Sequence, residues 1–270
     1  GKDDLTDTER VLFENLPGPP KMAEIRTTNV WIIEWLSPNE KQTGRLLHEW
    51  IQNQRPGWSV YCPCESKAQV IQSIQRATIL AEGSEMVPVL HFEAHGDNAG
   101  LAPDNTGCSE FLAWEELTEP LQRLNLATRC NLVVVVAACS GFAGIQTFCK
   151  GPRAPAVALV GLDSSAFPGD LLWGTKEFYR RWQDRSPRLA DIAASASREA
   201  GRVAFEWESF AVFAYEVQVE YLIKSVRPVE RIRLTKELRQ RMLENGFSAP
   251  KIEEQLAQLP PIGPWNKKQQ

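Results

Sequence analysis

Two apolar runs in this 270-residue chain each end on a reactive side chain with glycine close behind. The first is Val87-Pro88-Val89-Leu90-His91-Phe92-Glu93-Ala94-His95-Gly96, the second Leu132-Val133-Val134-Val135-Val136-Ala137-Ala138-Cys139-Ser140-Gly141. An imidazole and a thiol brought together form a base and a nucleophile. A free thiol titrates at about 8.5 and only the thiolate attacks, so Cys139 needs a proton acceptor. His95 is suited to that task because histidine titrates near neutral pH. Gly141 and Gly144 allow a sharp turn out of the strand. The segment after Cys139 reads as a helix start, whose N–H groups favour a nearby negative charge. The backbone N–H groups of Gly96 and Cys139 are the candidate oxyanion donors. No third member is forced. Glu93 shares a strand face with His95 but reads as a pocket or core residue, and a backbone carbonyl is an alternative partner for the imidazole. His91, on the same face in mid-strand, reads as structural.

These residues need a scaffold that delivers two strand ends to one place. Strands are expected over Asn29–Leu36, Trp58–Cys62, Val87–His95, Leu132–Ala138 and Ala156–Leu162, with a long last strand over Phe210–Leu222. Helices are expected over Lys41–Gln54, Ser66–Glu82, Glu110–Leu124, Gly144–Lys150, Gly169–Trp182 and Leu189–Arg202. Residues 97–110, with Gly100, Pro103, Asp104, Asn105 and Gly107, read as a hairpin or long loop. Strands alternating with helices of this length give a mostly parallel sheet covered on both faces. In such sheets functional groups gather at the carboxyl ends of the strands. The expected domains are a polar lead-in over 1–28, a catalytic domain over 29–225 and a helical tail over 226–270. The tail would carry Leu234–Glu244 and Ser248–Leu259, packed on the domain or binding a partner.

Composition narrows the function classes. A net charge of −4 offers no general attraction to nucleic acid or to an anionic membrane. No apolar stretch reaches the roughly 20 residues that span a bilayer. The first seven residues are polar and acidic, without the apolar core of a signal peptide. Six cysteines in a chain with a large core point to reduced thiols and a cytoplasmic setting. Cys62-Pro63-Cys64 has one residue between its thiols and no second pair or histidine cluster, so it reads as a strand end and no metal is expected. There is no phosphate loop or dinucleotide fingerprint, and no cofactor is expected.

On Ala137-Ala138-Cys139-Ser140-Gly141 and Ala94-His95-Gly96 the chain resembles the caspase-like cysteine peptidases, which include caspases, metacaspases, separase and the bacterial CHAT proteases. Ala137 stands where caspases carry glutamine, and Ser140 replaces their usual third residue. The text Leu90-His91-Phe92-Glu93-Ala94-His95-Gly96, followed by Phe111-Leu112-Ala113-Trp114-Glu115-Glu116-Leu117, is most similar to the CHAT branch. The resemblance covers roughly residues 29–222. It implies a three-layer α/β sandwich with His95 as general base, Cys139 as nucleophile, and the Gly96 and Cys139 amides as oxyanion donors. It further implies a single chain controlled by a partner or an appended domain. In bacteria it implies a role in defence or programmed death, with a companion protein as substrate.

The acids Glu93, Asp97, Asp163 and Asp170 fall near carboxyl ends of strands, where a pocket could favour arginine or lysine before the cut bond. Asp163, in Gly161-Leu162-Asp163-Ser164-Ser165, is the foremost of them. The leading reading is a cysteine endopeptidase acting on a protein substrate after a basic residue. The alternatives are a catalytically idle adaptor of the same fold working by protein–protein interaction, and a thiol hydrolase or acyltransferase using the same pair.

Overall fold

A computed structural model describes residues 25, 27–106, 110–148, 153–183, 188–201, 204–210, 236 and 239–240. One compact unit spans Ile25–Phe210, and a second comprises Gly1–Glu24 with Ala211–Gln270. Most of the expected lead-in, most of the tail over 226–270 and the expected last strand beyond Phe210 lie outside the described residues.

In chain order the first unit runs β1 (Asn29–Trp35), α1 (Thr43–Gln54), β2 (Ser59–Pro63), α2 (Lys67–Glu82), β3 (Pro88–Gly96), β4 (Gly100–Ala102) and β5 (Leu112–Ala113). It continues with α3 (Trp114–Ala127), β6 (Val133–Ala137), a 3₁₀ turn (Gly141–Ala143), α4 (Gly144–Phe148), β7 (Ala158–Leu162), α5 (Pro168–Trp182), α6 (Leu189–Ala200) and β8 (Phe205–Ser209). The sheet order is β2-β1-β3-β6-β7-β8. Every pairing along it is parallel except that of β7 with β8. The expected mostly parallel α/β sandwich is what the chain forms.

Side-chain alternation sorts the strand residues into two layers. Val30, Ile32, Val89, Val133, Val135 and Val160 share a core with Leu47 and Ile51 of α1, Leu172 and Phe178 of α5, and Ile192 of α6. The alternate residues Trp31, Ile33, Leu90, Phe92, Val134 and Val136 are also buried, as are Val70 and Ile74 of α2 and Leu117 and Leu121 of α3. Strand β6 is buried along its whole length, which explains its unbroken apolar run. Each such valine contributes about 1.5–3 kcal/mol by leaving water, so this strand has no room for a polar residue before its end.

Several starts are fixed by local chemistry. Ser66 caps α2, its hydroxyl accepting from the Gln69 N–H at 3.4 Å. Glu116 reaches back to the Ala113 N–H at 3.1 Å and opens α3 at Trp114, four residues after the expected start at Glu110. The expected hairpin is β4, antiparallel to β3 and paired in turn with β5. Strand β8 replaces what the sequence read as a connection. Its glutamates alternate with Phe205 and Trp207 on an antiparallel strand, a pattern masked by the expectation of a later and longer strand.

Candidate active site

Strands β3 and β6 lie side by side, and their register pairs Glu93 with Ala137. Two residues further along each strand direction stand His95 and Cys139. Both therefore leave the carboxyl ends of neighbouring parallel strands at the same level. At Gly96 the two chains nearly touch: a Cβ there would lie 2.7 Å from the Cys139 carbonyl oxygen and 2.9 Å from the Ala138 Cβ. Only glycine permits that approach.

Beyond Cys139 the chain turns at once. Ser140 adopts the left-handed region (φ 52°, ψ 24°), and the Gly141 N–H donates to the Ala138 carbonyl at 3.1 Å. A Cβ on Gly141 would sit 2.6 Å from Val136 Cγ1, so the turn folds back onto its own strand. The Ser140 N–H donates to the Ser164 carbonyl (3.2 Å) and the Ala166 N–H points at Cys139 Sγ (3.5 Å). The loop from β7 to α5 thus forms one wall beside the sulfur. Cys139 remains partly exposed while Cys62 and Cys64 are buried.

The imidazole has a carboxylate partner that sequence reading missed. His95 Nε2 lies 2.7 Å from Glu40 Oε2. A carboxylate only accepts, so Nε2 carries the proton and Nδ1 is the free basic nitrogen. Glu40 comes from the loop between β1 and α1, 55 residues before His95. Its turn is closed by the Glu40 N–H donating to the Ser37 carbonyl (2.9 Å). The Gln42 amide bonds both Ser37 O (3.0 Å) and Glu40 O (3.1 Å). The Ser37 N–H donates to Pro103 O (2.9 Å), which ties this turn to the chain leaving β4. No spacing rule could have singled out one glutamate in a polar turn.

The backbone around Gly96 is also defined. The Asp97 N–H donates to Gly100 O at 3.1 Å, making 97 and 100 a hydrogen-bonded pair of the β3–β4 ladder. Gly96, opposite Leu101, is then a non-hydrogen-bonded position. Its N–H turns away from β4, toward the edge on which Cys139 lies.

The four acids named from sequence have different surroundings. Asp163 is exposed directly after β7, and Asp170 is half-buried in the first turn of α5. Asp97 is engaged in its own turn, accepting from the Ala99 N–H (2.7 Å) and the Gly100 N–H (3.0 Å). Glu93 requires correction as a pocket residue. It is 1 % exposed, with one oxygen 2.9 Å from His91 Nε2 and the other accepting from Thr43 Oγ1 at 2.7 Å. A carboxylate so enclosed has no surface to offer a substrate.

Beside it lies Glu34, paired with Glu93 in the β1–β3 register. Glu34 accepts from the Gly44 N–H and from the Tyr61 hydroxyl, both at 2.5 Å. Burial pushes its carboxyl above the usual range against the pull of those two bonds, and the Glu93 charge pushes the same way. Burial also raises the Cys62 thiol, and takes that of Cys64 to about 11, so both are inert thiols at neutral pH. Among the described residues no cluster of three or more His, Cys, Asp or Glu could hold a metal ion. Among them, too, no helix is long and apolar enough to cross a membrane.

No protein-family model matches the chain, and no curated protein matches it. Among solved structures the chain is similar to the complex of Porphyromonas gingivalis RgpB pro- and mature domains. That likeness has 9% identity and a TM-score of 0.41, covering 72% of this chain and 48% of that one. It is also similar to Chaetomium thermophilum Raptor at 10% identity and a TM-score of 0.34, covering 95% and 33%. The chain spans about half the length of the first and a third of the second.

Proposed function

We propose that this chain is a cysteine endopeptidase of the caspase-like group, with Cys139 as nucleophile, His95 as general base and Glu40 orienting the imidazole. The observation that carries this reading is the common level of His95 and Cys139 on adjacent parallel strands, with Glu40 2.7 Å from His95 Nε2. His95 Nδ1 takes the thiol proton, and the Cys139 sulfur attacks the scissile carbonyl carbon. Charge developing on the carbonyl oxygen is met by the N–H groups of Gly96 and Cys139, a role the ladder phase at Gly96 supports. The C–N bond breaks, the imidazolium gives its proton to the leaving amine, and a thioester remains on Cys139. Water then attacks the thioester with His95 again as base, releasing the acid and restoring the thiol. No cofactor enters these steps.

For specificity the reading keeps Asp163 and Asp170 as the acids available to a basic side chain before the cut bond. Asp97 serves its turn and Glu93 its buried contacts. The sequence resemblance to CHAT proteases supports a protein substrate, control by a partner, and a setting in bacterial defence or programmed death. Cleavage of a mixed peptide library at neutral pH, by wild type, Cys139→Ala and His95→Ala, tests the reading. Cleavage after arginine or lysine, lost in both variants, is the expected result. Cleavage unchanged in Cys139→Ala would overturn it. Wild type that neither cleaves nor reacts selectively at Cys139 with an electrophilic thiol probe would favour the idle adaptor.

A further inference from the structure

The residue that the pocket reading misplaced has a different task. We propose that Glu93 is a positioning residue for the Cys139–His95 pair: through Thr43 it holds the first turn of α1, and so fixes the turn that presents Glu40 to His95. This rests on the reading of His95 as the general base.

Glu93 stands two residues before His95 on β3 and is the centre of a fully enclosed hydrogen-bond chain. Tyr179 of α5 lies with its hydroxyl 3.0 Å from His91 Nδ1, and His91 Nε2 lies 2.9 Å from Glu93 Oε1. Thr43 Oγ1 donates to Glu93 Oε2 at 2.7 Å. One assignment satisfies every member. The Tyr179 hydroxyl donates to Nδ1, the Nε2–H of a neutral His91 donates to the carboxylate, and the Thr43 hydroxyl donates to its other oxygen. Burial keeps the Tyr179 phenol protonated, which preserves its role as donor. Tyr179 and His91 are wholly buried, Glu93 1 % exposed and Thr43 2 %.

The geometry explains how this chain reaches the site. Thr43 opens α1, and the helix has no side-chain cap from Gln42. The sheet holds this first turn instead: Glu34 accepts from the free Gly44 N–H, and Glu93 accepts from the Thr43 side-chain hydroxyl. Two carboxylates side by side on β1 and β3 therefore set the height and rotation of the helix start. Three residues before Thr43 is Glu40, and Gln42 between them clamps the turn through Ser37 O and Glu40 O. Loosening the first turn of α1 loosens the carboxylate that orients His95, although Glu93 itself touches neither His95 nor a substrate.

The test reads the thiol rather than an unidentified substrate. Iodoacetamide alkylation of Cys139 is followed by mass spectrometry from pH 5 to 9 in wild type, His95→Ala, Glu40→Gln, Thr43→Val, Thr43→Ser and Glu93→Gln. Folding of each variant is checked by thermal melting. In wild type the imidazole should sustain alkylation at pH values where an unassisted thiol is protonated, and His95→Ala should abolish that limb of the profile. Thr43→Val and Glu40→Gln should each lower the rate at pH 6.5 by about tenfold, less than the hundredfold or more that loss of a general base costs. Thr43→Ser, which keeps the hydroxyl, should restore the wild-type profile, and Glu93→Gln should follow Thr43→Val. A purely structural bond would lower the melting temperature of Thr43→Val and leave its pH profile in place, and that result overturns the proposal. A profile untouched by His95→Ala would instead remove the general base itself, a separate failure.

Discussion

Replacing Gly96 by alanine puts the close approach of strand ends β3 and β6 under direct test. The new Cβ would lie 2.7 Å from the Cys139 carbonyl oxygen and 2.9 Å from the Ala138 Cβ. Neither neighbour is the end of a flexible side chain; one is backbone and the other a methyl fixed to it. Restoring ordinary contact at 3.4 Å requires strand ends β3 and β6 to part by about 0.7 Å. Overpacking of this kind costs about 1–3 kcal/mol. For a unit of this size that is roughly 2–4 °C in Tm for each kcal/mol. The same displacement separates His95 from Cys139, and misplacement near 1 Å can cost about a hundredfold in rate. Gly169→Ala is the control, since nothing lies within 4 Å of its Cβ in the first turn of α5. That change should raise stability by about 0.4–1 kcal/mol by restricting the unfolded chain. Thermal melts and the rate of Cys139 alkylation by iodoacetamide at pH 6.5 read both effects. Gly96→Ala should melt lower and alkylate at least tenfold more slowly, with Gly169→Ala unchanged in alkylation. A Gly96→Ala protein that melts within 1 °C of wild type, and alkylates at its rate, would refute the close approach and the alignment built on it.

Glu177 of α5 binds Arg180 and Arg181 and accepts from Ser195 of α6 at 2.6 Å, which holds its carboxyl down to about 2 from an ordinary 4.5. A depressed acid stabilises the fold above its unfolded pKa and loses that contribution as pH falls. Glu177→Gln should therefore lose about 1–2 kcal/mol at pH 7 by urea unfolding, and the gap to wild type should close between pH 4.5 and 2. Glu34 works in the opposite sense, because its raised carboxyl binds a proton more readily folded than unfolded, and stability falls as pH rises past 4.5. Glu34→Gln should gain on wild type in urea midpoint as pH rises from 4.5 to 7; a gap independent of pH would show that the carboxyl is not perturbed. Cys62 and Cys64 should resist iodoacetamide at pH 7 until the protein is unfolded, as peptide mapping of the labelled sites would report.

The sequence was most informative where one interaction dominates. The run Val133–Ala137 read as a strand buried on both faces, and Gly141 marked the sharp turn that leaves it. Thus the parallel sheet and the positions of His95 and Cys139 at strand ends were legible. Glu40 was not, because a carboxylate acting across 55 residues leaves no periodic trace in a polar turn. Glu93 misled for a related reason. An acid in a strand suggests a surface, yet its partners are His91 and Thr43, with Tyr179 bonded to His91 behind them, and only the tertiary fold assembles these three elements. Strand β8 was hidden by short length and alternating glutamates, which read as a connection until β7 gives it a partner.

The non-local make-up of the site also bears on how the chain comes to life. Glu40 meets His95 across 55 residues, and the Ala166 amide meets Cys139 across 27. The β3–β6 pairing itself encloses a hairpin and a whole helix. Contacts of such sequence separation form late, because loop-closure entropy must be overcome before they bring any gain. A nascent or partly folded chain therefore holds a histidine and a cysteine but no assembled pair. On the reading proposed above, hydrolytic chemistry would appear only with the closing of the sheet that brings these strand ends together.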